Sequence, residues 1–478
     1  MTEHPPPKVI IAGAGLGGLF LAILLERARI PYHIYERAAL AKPLGATLSI
    51  SSHILPVFEQ LELLEDLKAI SFPYKRIEIY HEDLKPMGGI NVSSLARSGY
   101  DPHMLHRPDL YNVLLSRVPA EKISLNKKVV DIEQNEQGVT IHTSDGGAYH
   151  GDILVGADGA YSAVRDKLFE QMDKEKKLPI TDKTGLTAGN VCIAGTTRPL
   201  DPTKFPIVKG DHTRFMNFVG RHKAHSWMVM TLPNNRIAYI IQEQLDSKAP
   251  KDITALRQER LSSEAKEKLF KDVYNFPIKP DDNEEIHQSG QATLGDLLDA
   301  TEPGLAATIL LEEKMFETWY HGRTVLIGDA VHKMHPASGQ GCVNAMQDAV
   351  VLANCLYEIS DGRAPVTAET IAEVFSDYRE QRYSHAKVQV EIANLRSRVL
   401  GGQKWSEKLL RWLVLHIPRK ILAAMSQQEV GYRPQVAFLP RIPNPPTLEV
   451  DPQKPSKRYA LETVDTRIDE PKDSPKQS

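Results

Sequence analysis

Near the start of the chain, the run Gly13-Ala14-Gly15-Leu16-Gly17-Gly18 sets Gly13, Gly15 and Gly18 in GxGxxG spacing. Glycines in this pattern permit a tight turn, a close approach of backbone N–H groups to a pyrophosphate, and close packing of a helix on a strand. The N-terminus of the helix that follows would add favourable partial positive charge. Glu36 closes the next strand-like run, where a carboxylate can accept hydrogen bonds from the two hydroxyls of an adenosine ribose. An acid there repels a 2′-phosphate, so the pattern specifies FAD or NAD, not NADP, as the bound dinucleotide.

Two further glycine-containing runs bear on that choice. One is Gly156-Ala157-Asp158-Gly159-Ala160-Tyr161-Ser162-Ala163-Val164-Arg165; the other is Gly328-Asp329-Ala330-Val331-His332-Lys333-Met334-His335-Pro336, continuing through Gly339-Gln340-Gly341. Each follows a short apolar, strand-like run. With the N-terminal run, these resemble the single-component FAD-dependent aromatic hydroxylases, whose type member is p-hydroxybenzoate hydroxylase. The likeness runs from about Lys8 to Asn354. Including Arg433-Pro434-Gln435 and Phe438-Leu439-Pro440, it is closest to fungal FAD monooxygenases of secondary metabolism.

The resemblance implies bound FAD, with Asp329 on the ribityl chain and backbone amides at Gly341 and Cys342 facing the pyrimidine end of the flavin. It also implies cofactor contacts at Arg107 and, more weakly, Gly45, and places Asp158 and Arg165 near the flavin pyrophosphate and a nicotinamide donor. NADPH or NADH would be a transient co-substrate, since there is no second GxGxxG. Oxygen would add at the flavin C4a, and the hydroperoxide would hydroxylate or epoxidise an electron-rich aromatic ring or alkene. The partners are thus a small-molecule substrate and O2. An FAD oxidase or dehydrogenase would share every cofactor motif, as would a non-enzymatic flavin redox sensor.

This chain departs from the family pattern at Cys342-Val343, which displaces Asn344 by one position. Some fungal relatives carry a catalytic arginine at the start of the substrate domain. The matching stretch, Asn190 to Gly195, has none, so the catalytic residue is unassigned. His332 and His335 lack acidic or cysteine partners at ligand spacing, so no metal is expected. For Cys342, packing of a small residue is the expectation. Phe215, Phe218, Trp227 and Tyr239 lie in alternating runs where core packing is the default and pocket lining the alternative.

These residues must be positioned by a chain of 478 residues, enough for two or three domains. Its 58 basic and 61 acidic side chains leave a net charge of -3, which gives no field to hold nucleic acid. Cys192, Cys342 and Cys355 are widely separated, and no signal peptide or long apolar span is evident, so a cytoplasmic setting is expected. Leu409 to Met425 reads as an amphipathic helix around Pro418, packed on the main body or lying at a membrane surface.

The element pattern begins with a strand at Lys8–Ala12, a helix at Gly17–Arg29 and a strand at Tyr32–Glu36. A meander follows from Lys127 to Gly156, with its turn at Asp145-Gly146. Alternating strands cover 214–219, 226–232 and 236–242, the last two joined by Asn234-Asn235. A strand at Thr324–Ile327 and a long helix at Thr367–Leu400 complete the pattern. The expected fold is α/β: a Rossmann-like FAD-binding domain (1–177 and 292–365), an inserted mixed-sheet substrate domain (178–291), C-terminal helices (366–446) and a disordered tail (447–478).

Overall fold

The computed structural model describes residues 4–39, 46–220, 225–245, 253–278, 292–302, 305–360, 365–402, 404–417 and 430–453. Its first sheet has strands in the order Tyr320–His321, Thr324–Leu326, Ile153–Gly156, Val9–Ala12, Tyr32–Tyr35 and Ile123–Ser124. Strands Val9–Ala12, Ile153–Gly156 and Thr324–Leu326 lie side by side and parallel. The register pairs Ala12 with Gly156 and Gly156 with Leu326, so three chain-distant strands end on one line. The glycine-rich runs that follow them therefore emerge together at the carboxyl edge of the sheet, where ligands bind in open α/β folds.

The first of these strands is fully buried and apolar, as a parallel strand covered on both faces requires. Helix Leu16–Ala28 follows it and packs against helix Gly341–Glu358, with Gly17 close to Ala345. The predicted meander forms a separate sheet of Val129–Gln134, Val139–Thr143 and Ala148–Gly151.

The second large sheet is mixed and eight-stranded. Its order is His332–Lys333, Ala307–Met315, Thr187–Thr196, Arg236–Gln244, His225–Leu232, Phe215–Val219, Arg76–His81 and Pro86–Asn91. It reaches beyond the expected 178–291 boundaries at both edges. Arg76–His81 pairs in parallel with Phe215–Val219, and Ala307–Met315 pairs with Thr187–Thr196. Both pairings join segments far apart in sequence, which a local pattern of alternation cannot announce. The hairpin at Asn234-Asn235 forms as predicted, both asparagines having positive φ (61° and 55°) as a tight primed turn requires.

Period-two alternation gives this sheet two functional faces. Val191, Ile193, Phe218, Trp227, Tyr239 and Ile241 face one way and form a core with Phe276, Leu294 and Leu297. Phe218 and Trp227 stack at 5.4 Å, and the Trp227 indole donates to the Pro277 carbonyl at 3.1 Å. Of the four aromatics singled out in the sequence, three are core residues, whereas Phe215 lines a cavity on the other face.

The long helix Ala368–Gly401 starts with a Thr367/Thr370 capping box and closes the far side of that cavity. A shorter helix, Trp405–Leu415, begins the stretch read as amphipathic; from Pro418 to Met425 that stretch lies outside the described residues. Of the expected tail, 454–478 likewise lie outside them. The Arg433-Pro434-Gln435 and Phe438-Leu439-Pro440 motifs form an irregular strap. Gln60 fixes it by donating to the Val436 and Pro440 carbonyls and accepting the Val436 N–H, and Asn354 bonds to Gln435 and Ala437.

Candidate active site

A single cavity of about 1350 Å³ runs from the glycine-rich edge of the first sheet to the inner face of the second. Gly15, Gly17, Ala157, Gly159, Gly328, Asp329, Gly339, Gly341 and Cys342 line one end, so the three motifs meet in one place. Gly18 is crowded: a Cβ there would stand 2.1 Å from the Gly13 carbonyl oxygen. At Gly15 a Cβ would meet nothing within 4 Å, because this glycine faces open space at the start of helix Leu16–Ala28. Among the described residues no side chain caps that helix, which leaves its first N–H groups for an anion. The residues present therefore fit a dinucleotide diphosphate.

Glu36 lies just beyond, its two carboxylate oxygens accepting the Ala14 and Ala38 N–H groups at 2.8 Å each. It ties the glycine turn to the end of the second strand, and each oxygen retains a lone pair for a ribose hydroxyl. Gly45 lies outside the described residues. Arg107 begins helix Arg107–Leu115 and lines the cavity with no hydrogen bond from its guanidinium to any described residue. Asp329, also in the wall, accepts from Lys333 Nζ at 2.8 Å.

Gly341 and Cys342 form the first turn of the 18-residue helix Gly341–Glu358, whose dipole points its positive end into the cavity. Burial pushes the Cys342 thiol up to about 12, against the pull of Arg107 and with the push of Asp329. It is a protonated thiol at neutral pH. Burial likewise holds Cys192, in the opposite wall, at about 12.

Two residues named from the second motif turn away from the cavity. Asp158 accepts from Ser162 Oγ and the Val164 N–H, so its carboxylate caps the following helix; burial raises its pKa while these bonds oppose the rise. Arg165 is buried, neither a surface arginine nor a cavity residue. It donates to the carbonyls of Ala160 and Ala330 and sits over the Phe316 ring, clipping the second motif to the Gly328-Asp329 turn. Asn344, the displaced asparagine, is also committed: it donates to the Gln340 carbonyl and accepts from Arg382 at 2.9 Å.

The Gly328-Asp329 turn is held from behind by a buried ionic cluster that sequence reasoning missed. Asp348 accepts from the Gly328 N–H at 2.8 Å, contacts His332 Nε2 at 2.6 Å and accepts from Arg382 Nε at 2.7 Å. Burial alone would raise the Asp348 pKa, but the His332 and Arg382 charges hold it below its ordinary value. His332 is thus a structural partner of a carboxylate. His335 lies 3.1 Å from Asn190 Nδ2 and 3.2 Å from Ser397 Oγ, joining the loop to the second sheet and the long helix, and burial pushes it down to about 4. Among the described residues no cluster of histidine, cysteine or acidic groups could hold a metal.

Away from the glycine turns the lining is predominantly apolar, with Asn91, Arg97, Gln242, His385, Gln389 and Arg396 among its polar members. The sheet supplies Ile77, Ile90, Ala194, Phe215, Met230 and Ile240. The long helix supplies Val388, Ile392, Leu395 and Val399, a helical stripe legible in principle from its spacing. Glu312 is a carboxylate in this lining. It is buried, accepts Arg257 Nε and Nη2 at 2.8 and 2.6 Å, and receives the Tyr161 hydroxyl at 2.5 Å.

A parallel α/β sheet that gathers glycine turns around a diphosphate cradle, facing an apolar compartment on a second sheet, defines a nucleotide-dependent oxidoreductase architecture. The model of the FAD binding domain family matches residues 7–279 and 277–391, and the chain belongs to that family of FAD-dependent monooxygenases. Among curated relatives, FAD-dependent monooxygenase ptmM of Penicillium ochrochloron is 32% identical over 392 residues, covering 78% of this chain and 84% of its own. FAD-dependent monooxygenase ausM of Emericella nidulans is 28% identical over 461 residues, covering 92% and 88%. Among solved structures, Klebsiella pneumoniae HpxO complexed with FAD and uric acid superposes with a TM-score of 0.66 at 23% identity, covering 88% of this chain and 95% of that one. The fold is the expected Rossmann-like FAD domain with an inserted mixed sheet.

Proposed function

We propose that this monooxygenase inserts one atom of O2 into a large, uncharged, predominantly apolar substrate with an electron-rich ring or alkene, using NADH or NADPH as reductant. The observation that carries this reading is the continuity of the nucleotide cradle with a compartment walled by Ile77, Ile90, Phe215, Met230, Ile240, Val388, Ile392 and Leu395. Burying a polar group among such side chains without a hydrogen-bond partner would cost ~2–7 kcal/mol, and an unpaired charge far more.

FAD, when bound, supplies the redox chemistry: it accepts a hydride and activates oxygen for transfer. The protein's own residues bind and orient. The N–H groups at Gly15 and Gly17 and the helix terminus behind them would hold the diphosphate, with Arg107 supplying a cation. Asp329 would accept a hydrogen bond from the ribityl chain. The amides of Gly341 and Cys342 would stabilise negative charge at the pyrimidine end of the ring. The apolar walls exclude water from the reacting centre and fix the substrate near it, so that positioning carries the rate.

The test is a visible spectrum of the intact protein, followed by NADH and NADPH oxidation under ¹⁸O2 with a panel of neutral phenols, prenylated indoles and terpenoid alkenes. Product gaining one labelled oxygen atom is the expected result. Oxidised product without label would establish an oxidase or dehydrogenase instead.

A further inference from the structure

Helix Trp405–Leu415 is amphipathic in the inverted sense. Its buried side holds Glu407 (5% exposed) and Arg411 (4%), while Trp405 (79%), Trp412 (55%), Leu409 and Leu413 lie on the outer surface. A surface helix ordinarily does the reverse. The two polar groups are engaged inside: Glu407 accepts the Lys404 N–H at 3.0 Å, and Arg411 donates to the carbonyls of Val399 and Gly402. The chain has four tryptophans; Trp227 and Trp319 are fully buried, and the other two are on this face.

Chemistry and charge identify the covering partner. The exposed arc from Lys404 to His416 contains two lysines, Lys404 and Lys408, and no exposed acid, in a chain whose acidic residues outnumber its lysines and arginines. Tryptophan beside lysine suits the boundary between acyl chains and anionic headgroups, where the indole body is buried and the cation stays wet. Four apolar side chains fall short of the about 800 Å² per partner of a standard protein interface. No described helix is long and apolar enough to cross a membrane, which leaves this one to lie flat. On its inner side Val414 lines the cavity, so the apolar compartment begins directly beneath the exposed face.

We propose that the Trp405–Leu415 helix docks the protein on an anionic lipid surface, with Trp405, Leu409, Trp412 and Leu413 inserted and Lys404 and Lys408 on the headgroups. Docking itself is independent of the proposed chemistry. Delivery of apolar substrate from lipid into the cavity follows from it and rests on that reading.

The experiment sediments the full-length FAD-loaded protein with vesicles of phosphatidylcholine alone and of phosphatidylcholine with phosphatidylserine, following tryptophan emission in parallel. The expected result is binding favoured by phosphatidylserine, with a blue shift. The Trp405→Ala/Trp412→Ala double variant should lose about tenfold or more in partitioning, while Lys404→Glu/Lys408→Glu should lose the preference for the anionic lipid. Both variants should keep their flavin and melting temperature. Equal sedimentation of the tryptophan variant, no sedimentation of the parent, or a parent dimer in the absence of vesicles that the tryptophan variant dissociates would each overturn the proposal. Vesicle binding without substrate turnover would leave docking standing and count against the monooxygenase substrate class alone.

Discussion

The glycines of the first turn make unequal demands. A methyl group at Gly18 would collide with the Gly13 carbonyl, whereas one at Gly15 would project into the space assigned to the diphosphate. Gly18→Ala is therefore expected to disrupt the strand–helix turn and give misfolded protein. Gly15→Ala should fold with an unchanged apoprotein melting temperature but bind FAD about tenfold more weakly, about 1.4 kcal/mol; flavin fluorescence titration beside a thermal scan separates the two. Asp329→Ala, which removes the carboxylate lining the cradle, should yield soluble, colourless protein, and normal flavin content would remove Asp329 from the site. His335 supplies a pH signature. Its folded value of about 4 lies below the ordinary 6.5, so the unfolded chain takes up the proton first. Stability should be complete above pH 6.5 and decline as pH falls towards 4, by at most about 3 kcal/mol. His335→Gln should flatten that part of a urea-unfolding profile.

Elements are locked together by groups that no local pattern reveals. Asp348 on helix Gly341–Glu358 joins the Gly328 turn, His332 and Arg382 of the long helix with all three side chains buried. Asp348→Asn strands a buried arginine and should cost about 3–5 kcal/mol in chemical unfolding, with flavin loss because the Gly328-Asp329 turn is released. Since Asp348 has a lowered folded pKa, its contribution is present above the ordinary carboxylate value and is lost as pH falls below it, a window beneath that of His335. The strand–helix–strand unit, the Asp145-Gly146 and Asn234-Asn235 turns and the long helix were legible in the sequence, because each is written in consecutive residues. The three motifs pointed to one cradle for the same reason. The Asp348 cluster, the inward clip of Arg165 and the capping role of Asp158 were not, because their partners are set by packing between distant segments. The alternation in Arg76–His81 was too short and too far from its partner Phe215–Val219 to mark it as part of the second sheet.

Across the whole molecule, the two halves meet at Glu312, where a carboxylate of the second sheet holds Tyr161 of the second motif and Arg257 of helix Ile253–Arg260. Glu312→Ala should open this corner of the cavity wall to water. The expected outcome is a larger share of consumed NAD(P)H appearing as hydrogen peroxide, measured as peroxide against oxygenated product; an unchanged ratio would confine Glu312 to a structural role. The second sheet has a further consequence, through its mixture of early and late strands. As the chain leaves the ribosome, Arg76–His81 must wait for Phe215–Val219, and Thr187–Thr196 stays an open edge until Ala307–Met315 has been made. Nascent protein of intermediate length thus carries unpaired strands and half of an apolar wall, the state that chaperones recognise and that aggregates when they are scarce. Recombinant yield should respond more to chaperone supply and translation rate than to flavin in the medium, and a transplant of residues 178–291 alone would carry that open edge into its new host.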